Sequence, residues 1–248
     1  MRAGADVAIV VPAWNEAESV GLVVKEIAAA APEVTVVVVD DASLDATAAV
    51  ARAAGARVIS NVFNLGVGGA MRVGIRYALA HGYNAVVQLD GDGQHDPRDI
   101  AALLDPLDAD GPPQVVIGAR FAGRGDVAVP RARRLAMHLL ARYLSHVTGA
   151  RLTDVTSGFR AHNRAALSVF ARTYPADYLS DTVESLIIAS RAHAVVQQVP
   201  VEMRPRLGGR PSQSSWRATA YLFRVLLTLA LAVIRRRPDP HQAQEASP

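Results

Sequence analysis

The chain has 248 residues, half of them hydrophobic, enough material for a sizeable core in one large or two small domains. Its formal charge is only +3, Lys25 is the sole lysine, and no stripe of basic residues interleaved with aromatics runs through it, which argues against a nucleic-acid surface. The absence of cysteine excludes disulfides, cysteine-ligated zinc and a thiol nucleophile. The opening MRAGADVAIVVP enters a strand pattern without the apolar core or cleavage site of a signal peptide, so a cytosolic location is expected. From there, β-branched apolar runs alternate with Ala-rich stretches of helical period. The pattern predicts strand Val7–Val11, helix Glu16–Ala30, strand Val34–Val39, helix Asp45–Ala54, strand Arg57–Ser60 and helix Gly69–His81. It continues with strand Ala85–Leu89, helix Pro97–Leu107, strand Val115–Gly118, helices Arg131–Thr148, Asn163–Ala171 and Ser180–Ala192, and strand Val195–Val201.

Such alternation predicts an α/β fold with a mostly parallel sheet covered on both faces, and ligands in these sheets bind beyond the carboxyl ends of the strands. The unusual residues fall at those ends: PAWNE after the first strand, DDAS after the second, DGDGQH after the fourth and GARF after the fifth. Each has a plain alternative. Asp40, Asp41 and Ser43 suit a helix N-cap, because their side chains accept bonds from free first-turn amides. Gly66, Gly68 and Gly69 suit a turn, and NLGVGGA lacks the context of a dinucleotide fingerprint and the lysine of a Walker A loop. Asp90 and Asp92 could belong to a solvated loop, but two carboxylates bracketing one glycine also suit a divalent cation that bridges a diphosphate. At i, i+2 spacing both point to one face of an extended segment, and Gln94 continues it, giving one hard cation three oxygen donors.

Seven blocks, VVPAWNEAESV, VVVDDASLDAT, NLGVGGAMRVGIRYAL, QLDGDGQHDP, GARF, TDVTSGFRAHNR and VPVEMRPRLGGR, follow the order and approximate spacing of family-2 glycosyltransferases. The chain most resembles the polyprenyl-phosphate sugar synthases, the dolichyl-phosphate mannose synthase group, over about residues 6 to 212. The resemblance implies a GT-A fold, a single mostly parallel mixed sheet flanked by helices, with a nucleotide-sugar donor (GDP- or UDP-linked), Mg²⁺ or Mn²⁺, and inversion at the anomeric carbon. It assigns Pro12, Trp14 and Glu16 to a base-and-ribose pocket, with Val39 and Asp41 as its second half. It assigns Asp90, Gly91, Asp92 and Gln94 to the metal motif, and Arg120, Arg133 and Arg206 to the diphosphate. Arginine and a metal there would stabilise the charge that develops as a nucleoside diphosphate leaves. Two departures stand out: Trp14 replaces a common tyrosine, leaving the base open, and Ser212 replaces a lysine, so Arg210 is expected to supply that charge.

A hydroxyl acceptor needs a general base, whereas a phosphate monoester is already anionic near neutral pH. The Gln-x-x-Arg-Trp segment of processive hydroxyl-acceptor relatives is missing, and Thr153 to Arg160 stands where the family forms its acceptor loop. Arg160, with Ser157 nearby, is the expected contact of a lipid phosphate; the plain alternative is a structural strand edge with a surface arginine. Asp181 and Glu184 could serve as base for a hydroxyl. The stretch from Trp216 to Pro238 ends in three arginines and a proline, and its apolar part, Val225 to Ile234, is ten residues where spanning needs roughly 20. An amphipathic helix lying in the membrane interface is expected, with Trp216 and Tyr221 near headgroups and Arg235–Arg237 on anionic lipid; burial on the domain or in a dimer is the alternative. The expected organisation is a transferase domain at 1–212, this C-terminal helix at 213–237 and a disordered tail at 238–248. The expected protein is thus peripheral on the cytoplasmic face, moving a hexose from a nucleotide sugar to polyprenyl phosphate, with homo-oligomerisation left open. Transfer to a hydroxyl of a glycan or small metabolite, or an inactive nucleotide-sugar-binding scaffold, are the alternatives.

Overall fold

The computed structural model describes residues 6–109, 111–120, 131–175 and 180–207. The elements are β1 Val7–Ala13, α1 Val20–Ala30, β2 Thr35–Asp40, α2 Thr47–Ala53, β3 Arg57–Ser60, α3 Gly66–Ala80, β4 Ala85–Gln88, α4 Ile100–Leu104, β5 Val115–Ala119, α5 Arg131–Thr148, β6 Arg160–Asn163, α6 Arg164–Thr173, α7 Ser180–Arg191 and β7 Val196–Pro200. The strands form one mixed sheet in the order β3-β2-β1-β4-β6-β5-β7. β1 pairs in parallel with β2 and β4, and β5 with β7, while β6 runs antiparallel to both β4 and β5. β1 is apolar at every position and wholly buried because helices cover both faces of the sheet. One face packs on α3, α5, α6 and α7 through residues such as Met71, Ile75, Leu140, Leu167, Phe170 and Leu186. The other packs on α1 and α4 through Val20, Val24, Ile27, Ile100 and Leu103.

Two sequence expectations fail here. β6 carries no strand signal in the sequence, because RAHN shows no apolar run or alternation; all four residues are nevertheless buried between β4 and β5. The helix expected over 97–107 breaks into a 3₁₀ turn at Pro97–Asp99, the five-residue α4 and a second 3₁₀ turn at Asp105–Asp108. Pro106 ends α4, since it removes an amide donor and crowds the preceding helical turn. The insertion of β6 has a functional consequence. Its amino end, not its carboxyl end, lies at the carboxyl edge of β1, β2 and β4, so the segment before Arg160 reaches the same edge as DGDGQH.

β6 also buries His162 edge-on to Phe170, with ring centroids 5.2 Å apart and neither ring nitrogen hydrogen-bonded. Burial, and then the Arg160 charge, pushes its pKa down to about 3 from the ordinary 6.5. Below pH 6.5 the unfolded chain therefore binds a proton that the folded chain refuses, and stability falls with pH, by about 2 kcal/mol at pH 5. His162→Phe keeps the ring and removes two unsatisfied nitrogens. In urea melts at pH 7.5 and pH 5, the variant should lack about 2 kcal/mol of the wild type's acid loss; identical pH dependence in the two proteins would contradict this role for His162.

Candidate active site

The loops after β1 and β2 are tied together. Asn15 adopts a left-handed conformation (φ 55), its amide donates to Ser43 Oγ at 2.9 Å, and its side-chain oxygen accepts from Leu44 N at 2.8 Å. Glu16 N donates to Thr47 Oγ1 at 2.9 Å. Pro12 and Val39 face each other in register at the ends of β1 and β2, with the Val39 side chain in the core, while Trp14 is about half exposed. Asp41 does cap a helix, but a distant one: its carboxylate accepts from Leu65 N, Gly66 N at 2.8 Å and Asn61 Nδ2 at 2.8 Å, closing the start of α3. Asp41 thereby fixes the loop that leads into α3 and is itself only 3% exposed.

Beyond β4, Asp90 and Asp92 converge. His95 Nε2 lies 3.3 Å from Asp90 Oδ2, and the buried imidazole stacks obliquely on Phe159. Burial works to raise the Asp90 pKa, but the His95 hydrogen bond and the fields of His95, Arg120 and Arg206 outweigh it, so the carboxyl is held below its ordinary value. Asp92 moves the other way, raised by burial and by the negative charge of Asp90. Two carboxylates that repel across a glycine create a demand for positive charge. The Asp90 side chain keeps 36% of its surface open, which leaves it accessible to a cation. No group of three or more His, Cys, Asp or Glu among the described residues could hold a metal alone. Two carboxylates are the donor set a cation needs when a diphosphate completes its coordination, so these residues fit Mg²⁺ or Mn²⁺ shared with a ligand. Gln94 donates its backbone amide to Asp92 Oδ1 at 2.9 Å.

Residues 203–207 run antiparallel along this loop, with a bridge between His95 and Met203, Arg204 N donating to Gln94 O at 2.9 Å and Leu207 N to Asp92 O at 3.0 Å. Arg204 anchors the segment on Asp96 (2.6 Å) and Glu26 (2.9 Å). Arg206 reaches into the site, 2.8 Å from Asp92 Oδ2 and 3.4 Å from Glu16 Oε1. Gly93 is required here, because its φ of 76 is left-handed and a Cβ would strike the Leu207 side chain. On the far side, the Ser19 hydroxyl lies 2.7 Å from Gly91 O and 2.9 Å from Glu16 Oε2, joining the start of α1 to the acidic loop.

The TDVTSGF segment forms the other wall. Asp154, 1% exposed, accepts two bonds from Arg120, Nε at 2.6 Å and Nη2 at 3.0 Å, and Arg120 also donates to Thr156 Oγ1 at 2.6 Å. Burial opposes its charge, but Arg120 holds the Asp154 carboxyl below its ordinary pKa. Gly158 lies against Asp90: a Cβ there would stand 3.1 Å from Oδ2 and 3.2 Å from Oδ1. Behind it, Tyr174 Oη donates to Gln88 Oε1 at 3.1 Å in a buried pair.

Arg160 does not occupy the position expected for an acceptor contact. It is fully buried, and its guanidinium donates to Ser157 O, Thr182 O, Ser185 Oγ and Val155 O, all at 2.8–2.9 Å. It joins β6, the TDVTSGF segment and α7 from within, and the alternative of a surface arginine fails too. Ser157 is likewise buried, with Oγ accepting from Phe159 N at 3.2 Å. Asp181, near Arg160, is 3% exposed, and Glu184 points outward from α7. Arg133 lies in the first turn of α5 with its side chain outside the described residues; Arg210, Ser212 and the helix expected at 213–237 also lie outside them. The structure thus gathers Glu16, Asp90, Asp92 and Arg206 at one edge, with Arg120 close enough for its charge to act on Asp90. His95, Ser19 and Gly158 are neighbours of the acidic loop that sequence reasoning does not reach. His95 stood in view inside DGDGQH, but nothing in the sequence says that a histidine five residues on turns back to the first acid.

Residues 8–170 match the glycosyl transferase family 2 profile. Polyprenol monophosphomannose synthase of Mycolicibacterium smegmatis is 33% identical over 166 residues, 64% of this chain and 62% of that protein. Dolichyl-phosphate hexose transferase of Haloferax volcanii is 31% identical over 203 residues, 82% of this chain and 85% of that protein. The chain therefore spans less than two thirds of the first relative's length and most of the second's. Glucosyl-3-phosphoglycerate synthase from Mycobacterium tuberculosis, solved with Mn²⁺ and uridine-diphosphate-glucose, superposes with a TM-score of 0.70 at 25% identity, over 94% of this chain and 80% of that one. The mixed sheet is a GT-A fold, and the chain belongs to glycosyl transferase family 2.

Proposed function

We propose that the chain transfers one hexose from a nucleoside-diphosphate sugar to polyprenyl phosphate, with inversion at the anomeric carbon, at the cytoplasmic face of a membrane. The observation that carries it is the convergence of Asp90, Asp92 and Arg206 on the carboxyl edge of the sheet, in a chain whose relatives include a polyprenol monophosphomannose synthase. Mg²⁺ or Mn²⁺ held by Asp90 and Asp92, with Gln94 as a third oxygen, would neutralise charge on the departing diphosphate. Glu16 and Trp14 border the nucleoside side, and Asp41 shapes that pocket by holding the start of α3. Arg206, and Arg120 from its seat on Asp154, supply positive charge, with Arg133 and Arg210 as further candidates. The acceptor phosphate oxygen bonds to the anomeric carbon as the bond to the diphosphate breaks. Residues 1–212 would form the transferase and 213–237 a membrane contact; no helix among the described residues is long and apolar enough to cross a bilayer.

The second reading, transfer to a hydroxyl, needs a general base, and Asp181, whose pKa burial pushes up to about 6, is the carboxylate beside the TDVTSGF segment that it would use. Asp181→Asn separates the two. With a folded pKa of about 6 and an ordinary value of 3.8, the carboxylate costs stability as pH rises from about 4 through 6, reaching about 3 kcal/mol at pH 7.5. The variant should gain up to about 3 kcal/mol at pH 7.5 and nothing at pH 4, and should still glycosylate polyprenyl phosphate, with polyprenol inert. If transfer instead falls by about 10²-fold or more and the residual kcat/KM no longer depends on pH near 6, Asp181 is a base and the acceptor a hydroxyl. A protein that binds donor and transfers to neither acceptor would be a scaffold.

A further inference from the structure

Both carboxylate oxygens of Asp92 are engaged. Oδ1 accepts from Gln94 N at 2.9 Å, a bond within its own loop, and Oδ2 accepts from Arg206 Nη2 at 2.8 Å. The same guanidinium lies 3.4 Å, through Nη1, from Glu16 Oε1. The backbone that carries it is pinned on both sides: Arg204 N donates to Gln94 O at 2.9 Å and Leu207 N to Asp92 O at 3.0 Å. About a quarter of the Arg206 side chain is open, so its guanidinium can change partners while the strap stays in place. Arg204, two residues earlier, shows the contrast. It also bridges two carboxylates, but it ties Asp96, which Arg98 already holds, to Glu26 on α1 and so anchors the strap. Arg206 instead sits on one of the two acids assigned to the cation.

We propose that Arg206 is a placeholder for the cation, neutralising Asp92 until a diphosphate offers its guanidinium other oxygens, so that cation and nucleoside diphosphate bind as a pair. The proposal deepens the reading above and rests on it only for the assignment of the cation to Asp90 and Asp92. A guanidinium and a divalent cation on one carboxylate oxygen repel each other, so what one gains on Asp92 the other loses. A diphosphate removes the conflict, because its oxygens match the planar fork of arginine as a carboxylate does. Glu16, the second partner, keeps the guanidinium at the site while it exchanges. By linkage, the diphosphate tightens the cation by the same factor as the cation tightens the diphosphate. Direct coordination of a diphosphate by the cation couples the two as well, and the placeholder adds to that coupling by weakening the cation's binding on its own.

The test is Mn²⁺ binding to the full chain, followed by the paramagnetic resonance of the free ion, with and without saturating UDP or GDP. Arg206→Met keeps the aliphatic stem and removes the charge; Arg206→Gln takes its place if that variant does not fold. Without nucleotide the variant should bind Mn²⁺ about 10-fold or more tightly than wild type, the scale of a charge-assisted bond that no longer competes for the same oxygen. With saturating nucleotide the two proteins should bind Mn²⁺ alike, so the coupling shrinks by the same factor. Adding Asp92→Asn to the variant should erase the gain, because the gain runs through Asp92. An arginine that only grips the diphosphate would leave Mn²⁺ affinity without nucleotide unchanged, and one that only braces the acidic loop would lower it on removal; either result overturns the proposal. Asp92→Asn alone separates the placeholder from the reading beneath it. Weakened Mn²⁺ binding in Asp92→Asn, beside an Arg206→Met that binds as wild type does, leaves the cation assignment standing and sinks the placeholder, whereas wild-type Mn²⁺ binding in Asp92→Asn sinks both.

Discussion

Asp92→Asn is expected to lower sugar transfer by about 10³-fold or more, the scale of losing a principal stabiliser of developing charge. Asp92 is one of the two carboxylates that the proposed function assigns to the cation, and Asn offers a neutral oxygen in the same space. Manganese binding, followed by calorimetry in the presence of nucleoside diphosphate, should weaken in parallel. Folding should not suffer. The carboxyl is already raised above its ordinary pKa by burial and by Asp90, so neutralising it relieves repulsion, and Arg206 keeps Glu16 as a partner. A melting temperature within a few degrees of wild type, together with lost metal binding, separates a ligand from a structural acid. Normal metal affinity in the variant would place the cation elsewhere.

Arg160→Ala is expected to cost the fold rather than an acceptor contact. The change strips donors from the buried carbonyls of Val155 and Ser157, leaves Thr182 O and Ser185 Oγ only each other, and opens a cavity where a whole side chain stood. Each unsatisfied buried carbonyl costs about 1–3 kcal/mol and the cavity about 2–5 kcal/mol, so the sum exceeds about 4 kcal/mol and approaches the entire stability of an ordinary domain. The variant should be insoluble or melt far below wild type. Arg160→Lys should recover little, since an ammonium lacks the planar fork that reaches separate carbonyls at once. Thermal denaturation beside transfer kinetics decides: a variant that melts normally but has lost affinity for polyprenyl phosphate would return Arg160 to the acceptor site.

Arg160 also marks where the sequence stops being readable. β1, β2 and β4 declare themselves because strands buried on both faces must be continuously apolar, and their ends are then the obvious place to seek chemistry. That logic reaches Asp90, Asp92 and Glu16. It cannot reach β6, whose Arg-Ala-His-Asn is buried through side-chain hydrogen bonds to distant backbone and an edge-on aromatic contact rather than through apolar patterning. An arginine beside a motif looks the same in sequence whether it faces a ligand, as Arg206 faces the acidic loop, or ties three segments together from inside. The same limit hides His95, Ser19 and Gly158, since each acts by touching a residue that the chain brings back from elsewhere. Asp41 shows the converse: an N-cap is legible from its residue type, but the helix it caps begins 25 residues later.

Labelled sugar from a panel of GDP- and UDP-sugars, incubated with the full chain, polyprenyl phosphate and Mn²⁺, and then extracted into butanol, tests the central claim most directly. The label should enter the butanol phase from at least one donor, should stay in water when polyprenol replaces the phosphate, and should stay in water when EDTA is present. Transfer undiminished in EDTA, or label that enters polyprenol as readily as its phosphate, would contradict a metal-dependent synthase acting on a lipid phosphate.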